Sequence, residues 1–66
     1  MKIKRIDLAA GQSFVFSYAN GDRYVYISEG THPTLKFGKP IKLTPGEVFS
    51  VETDSDIQVS CMYEAN

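Results

Sequence analysis

Apolar and polar residues alternate along most of this chain with a period of two. Phe14-Val15-Phe16, Val25-Tyr26-Ile27, Phe49-Ser50-Val51 and Ile57-Gln58-Val59 each send every second side chain to one face. No window places apolar residues at the helical spacing of ~3.6, so the pattern predicts strands and no regular helix. Gly or Pro punctuates the runs, at Gly11, Gly21, Gly30, Pro33, Gly38, Pro40, Pro45 and Gly46.

The pattern also nearly repeats. Residues 6–14 and 41–49 both read I-x-L-x-x-G-x-x-F: Ile6, Leu8, Gly11 and Phe14 match Ile41, Leu43, Gly46 and Phe49, 35 positions on in a chain of 66. Thr44-Pro45-Gly46-Glu47 predicts a type II turn, with Pro setting φ and Gly taking positive φ. Ala9-Ala10-Gly11-Gln12 matches it. Type II turns splay hairpin strands, so both segments are predicted as corners where the chain passes from one sheet to another. Ile6, Leu8, Phe14, Ile41, Leu43 and Phe49 are predicted as core.

Ala19-Asn20-Gly21-Asp22 predicts a type I′ hairpin. That register sets Phe16 opposite Val25 and Phe14 opposite Ile27, with Ser13, Val15, Ser17, Tyr24, Tyr26 and Ser28 together on the other face. A second hairpin is predicted between residues 47–52 and 57–63, with a loop of three or five residues that aligns Phe49 and Val51 with Ile57, Val59 and Cys61. The fold class that follows is all-β: a small β-sandwich or barrel of six to seven antiparallel strands, built from a duplicated strand-corner-hairpin unit. Residues 1–66 form one domain, with pseudo-repeats at about 3–28 and 41–63 joined by 29–40. Leu35 and Phe37 are candidates for a short extra strand.

A chain this short buries only about 60% of its unfolded surface. Small folds often add a disulfide, a metal or a partner subunit. Cys61 is the only cysteine and His32 the only histidine, which leaves neither an intrachain disulfide nor a zinc-binding cluster. A partner surface is the remaining staple. Charge is near balance, at −1, but uneven. All seven cations fall in residues 1–43, and residues 44–66 hold five acids and no cation. The plain expectation is that the two ends lie together and neutralise each other. The alternative is a molecule with a basic and an acidic end, suited to head-to-tail contact with its own copies.

No residue set assembles a catalytic chemistry. His32 reads as a turn residue before Pro33. Cys61 falls on the inward parity of the last strand and reads as a small core residue. Glu52, Asp54 and Asp56 have oxygen-ligand spacing for Ca²⁺ but lack the EF-hand pattern, and read as a solvated loop tip. Lys2, Lys4 and Arg5 read first as charges that protect an edge strand. No catalytic, cofactor-binding or metal site is expected, and the chain is not expected to be an enzyme. The signal that remains is an interaction surface of Val15, Arg23, Tyr24 and Tyr26, with Met62 as a further outward apolar residue. Tyrosines beside cations can also stack on bases, so a small barrel binding single-stranded nucleic acid through Tyr24, Tyr26, Arg23 and Lys4 is an alternative. The balanced charge argues against it.

With its doubled I-x-L-x-x-G-x-x-F motif and its Asn-Gly turn, the chain resembles small all-β virion proteins of tailed phages: head-decoration, fibre-base and tail-associated modules. The Leu43–Glu47 segment has a cupin flavour without the metal histidines. The phage resemblance implies a structural protein that self-associates or binds a protein lattice, with no small-molecule substrate and no membrane. A soluble binding module, such as an inhibitor of a host enzyme, is the other protein-binding alternative. Met1-Lys-Ile-Lys-Arg-Ile lacks the apolar stretch of a signal peptide, so a virion or cytoplasmic location is expected.

Overall fold

The computed structural model describes residues 2–17 and 21–63. They form six strands: β1 (Lys2–Leu8), β2 (Ser13–Ser17), β3 (Arg23–Glu29), β4 (Ile41–Leu43), β5 (Val48–Glu52) and β6 (Ile57–Tyr63). The fold is all-β. A four-stranded sheet in the order β1-β6-β3-β4 packs on a two-stranded sheet, β2-β5, and every pairing is antiparallel. Phe16 and Val51 from the small sheet meet Val25, Ile27, Val59 and Cys61 from the large one, and Leu8, Leu43 and Ile57 close the ends of this core.

Both predicted corners are present. The chain leaves the large sheet after β1 and after β4, and each time a tight turn delivers it to the small sheet. Gln12 N donates to Ala9 O at 3.0 Å, and Glu47 N donates to Thr44 O at 3.1 Å. Gly11 and Gly46 take φ of 87° and 88°, which the third position of a type II turn requires. The side chain after each glycine then locks its turn. Gln12 Oε1 accepts from Ala9 N at 2.7 Å, and Glu47 Oε1 accepts from Thr44 N at 2.8 Å.

The two predicted hairpins do not form. β2 pairs with β5, so Phe16 lies opposite Phe49 and Phe14 opposite Val51. Val25 lies between Cys61 and Ile41. Of the Asn20-Gly21 turn, Asn20 lies outside the described residues. The inward parity that the alternation predicts holds: Phe16, Val25, Ile27, Val51, Ile57, Val59 and Cys61 are all buried. Alternation leaves the neighbouring strand open. β3 and β6, with the richest inward sets, take the two central positions of the large sheet. Of the six motif residues predicted as core, Leu8 and Leu43 are buried, whereas Ile6, Phe14, Ile41 and Phe49 are half-buried at the rim. The extra strand is absent. Leu35 is buried, Lys36 and Lys39 form a single bridge, and Phe37 sits on the turn between them.

The pairings obey a pseudo-two-fold. The Ile6–Val59 pair corresponds to Ile41–Val25, and the Phe14–Val51 pair to Phe49–Phe16. Tyr26–Ser60 and Val15–Ser50 each map onto themselves, so the axis passes through both pairs. The offset is 35 in β1–β2 against β4–β5 and 34 in β3 against β6, because the β5–β6 connection, residues 53–56, is one residue shorter than the β2–β3 connection, residues 18–22. Every strand pair joins one repeat to the other.

Candidate interaction surface

Strand parity divides the proposed surface. In β3, Val25 and Ile27 point into the core, so Tyr24, Tyr26 and Ser28 face outward from the large sheet. Three rows cross this outer face. Ile3, Met62 and Tyr24 are successive cross-strand partners, with Lys42 beyond. Arg5, Ser60 and Tyr26 form the next row. Asp7 and Gln58 begin the third, and a β-bulge between Ile27 and Glu29 brings Ser28 to Gln58. Ser60 belongs to the outer face yet is only 1% exposed, because Arg5 and Tyr26 stand on either side of it. Its Oγ donates to Ser28 Oγ at 3.0 Å, and Ser28 Oγ lies 2.9 Å from Gln58 Oε1. Gln58 Nε2 in turn donates to Asp7 Oδ1 at 3.2 Å. One end of the face is thus aromatic and apolar, and the other is a hydrogen-bonded polar strip.

Two expected members are elsewhere. Val15, 54% exposed, faces outward from the small sheet, on the opposite side of the molecule from the tyrosines. The shared face assumed a β2–β3 hairpin, and with β2 in the other sheet it does not exist. Val15 instead keeps company with Ser50 and the exposed Val48. Arg23 has the inward parity of Val25. Its guanidinium lies over the Tyr63 ring, 5.0 Å from the centroid, and Nη1 donates to Asp22 O at 3.2 Å. It closes the end of the core and does not stand beside Tyr24. Lys4 also has the inward parity, so the four residues of the nucleic-acid alternative do not converge. The cations that flank the tyrosines are Arg5 and Lys42.

The remaining candidates have structural partners. Thr34 N and Leu35 N both donate to His32 Nδ1, at 3.0 and 3.1 Å. The ring proton therefore sits on Nε2, which donates to Glu52 O at 2.6 Å. His32 pins the loop after β3 to the end of β5. Asp56 Oδ1 accepts from Ala10 N at 3.0 Å, and Thr53 Oγ1 accepts from Ser55 N at 3.2 Å, so this acidic loop is tied to the first corner and to itself. Among the described residues no three His, Cys, Asp or Glu side chains converge as a metal-holding group. Cys61 is fully buried between the sheets.

Sequence reasoning missed Ile3 and Phe37. Ile3 was obscured by the lysines around it. Phe37 is 79% exposed. Its signal was the tetrapeptide Lys36-Phe37-Gly38-Lys39, which is a turn with an aromatic tip. No helix long and apolar enough to cross a membrane occurs among the described residues. Compared with known proteins, the chain matches no family model, no curated protein and no solved structure.

Proposed function

We propose that this chain is a non-enzymatic interaction protein that docks on another protein through the outer face of its four-stranded sheet. One observation carries the reading: Ile3, Met62 and Tyr24 form a continuous apolar row across three strands, with Tyr26 beside it and Arg5 and Lys42 at its margins. An aromatic centre with a polar and cationic rim is the composition of a protein-docking patch. The central strands make the patch rigid, so little side-chain entropy is lost on binding. The setting implied by the phage resemblance, a subunit bound to a larger protein assembly, fits a flat face of this kind. Arg23 and Lys4 have the inward parity, opposite to that of the tyrosines, and this weighs against the nucleic-acid alternative.

The test is site-specific photo-crosslinking from position 26 in an extract of the source cells or particles. A discrete crosslinked protein is expected, and it should disappear when Tyr24→Ser and Met62→Ser are added. Crosslinking to nucleic acid, or a protein adduct that the two substitutions leave intact, would overturn the reading.

A further inference from the structure

Phe37 is held in water by a rigid base. Leu35, two residues before it, is 1% exposed, His32 accepts the Leu35 N–H, and Lys36 and Lys39 bridge beneath the tip. The tip is cationic, since no acid occurs between Gly30 and Gly46. Elsewhere on the surface a concavity of about 390 Å³ has Asp7, Glu29 and Asp56 at its rim and Leu8 and Ile57 among its walls. Two of those carboxylates are fixed in place, Asp7 by Gln58 Nε2 and Asp56 by Ala10 N. The two ends of the chain do lie side by side, as β1 and β6. Lys42 pairs with Asp22 at 3.4 Å, and this pair includes neither the tip lysines nor the rim carboxylates.

We propose that the Lys36–Lys39 tip of one copy docks in the Asp7–Glu29–Asp56 concavity of a second copy. Phe37 enters against Leu8 and Ile57, and Lys36 and Lys39 meet the rim carboxylates. The contact is heterologous, so a docked pair keeps one tip and one concavity open between its two copies, and association continues into chains or rings. Rim ion pairs are screened by salt, so assembly weakens as ionic strength rises. The inference goes beyond the docking-face reading, because it uses neither tyrosine nor the apolar row of Ile3, Met62 and Tyr24, and touches that face only at its polar end.

The test is mass by analytical ultracentrifugation across a concentration series. Wild type should grow with concentration and shrink with added salt. Phe37→Ser and Glu29→Lys should each stay monomeric with unchanged melting temperatures, since both side chains are exposed. An equimolar mixture of the two variants should form a dimer and stop there, because one good tip and one good concavity remain between them. Tyr24→Ser/Tyr26→Ser should assemble like wild type. A wild type that is monomeric throughout, a Phe37→Ser protein that still assembles, or a mixture that stays monomeric would overturn the inference. Loss of assembly in the tyrosine variant would move self-association to the sheet face and overturn it equally.

Discussion

At the scale of single residues, position in the sandwich sets the cost of a change. Phe16 lies in the core and is 1% exposed, while Phe49, its cross-strand partner, is half-buried. Phe16→Ala should cost about 3–5 kcal/mol, a large share of the stability of a domain this size, and Phe49→Ala clearly less. Urea denaturation of the two variants checks the order. Gly30 combines positive φ with close packing, since a Cβ there would lie 2.8 Å from Asp56 O. Gly30→Ala should therefore destabilise the fold, seen as a lower melting temperature. The two corners differ in one titratable atom. Hydrogen bonds from the Thr44 hydroxyl and the Thr44 N–H hold the Glu47 carboxyl below its ordinary pKa, whereas Gln12 makes the matching bond without a charge. A depressed carboxylate pKa contributes stability above the ordinary glutamate value of about 4.3 and loses it as pH falls through the lowered value. Glu47→Gln keeps the acceptor, so its melting temperature should fall less than that of wild type across that acid range.

At the scale of elements, the corners and the His32 loop hold the two layers in place. The corner turns are encoded locally, by a glycine with positive φ and an acceptor one residue later, so they were legible in the sequence. The loop of residues 30–40 was not, because its organising bonds reach from His32 to Glu52, twenty residues away. His32→Ala leaves Leu35 N, Thr34 N and Glu52 O without that partner. It should lower stability by about 1–2 kcal/mol, measured by denaturant titration, and loosen the base of the Phe37 tip, measured as faster amide exchange at Leu35.

At the scale of the molecule, the two repeats are interleaved. β1 and β3 both pair with β6, β3 also pairs with β4, and β2 pairs with β5. No strand finds a partner within its own repeat. Fragments 1–34 and 35–66 should each lack a cooperative melt while monomeric, as followed by circular dichroism, because neither contains a complete sheet. A cooperative transition in either monomeric fragment would contradict this topology. Non-local pairing of this kind also predicts slow folding for so short a chain.

The period-two pattern determined by itself that the chain is all-β and which side chains face inward, and the glycine turns marked the two corners after β1 and β4, but not the layer changes after β2 and β5. Those properties depend on residues within a few positions of each other. The tertiary structure decided who neighbours whom. Phe16 satisfies its inward parity equally well opposite Val25 or opposite Phe49, and only the joint burial of all six strands selects Phe49. That choice then moved Val15 to the far face from Tyr24 and Tyr26 and brought Ile3 and Met62 beside Tyr24. The docking face therefore could not be drawn from β3 alone, because a sheet face is assembled across strands and the pairing that assembles it is set by the whole core.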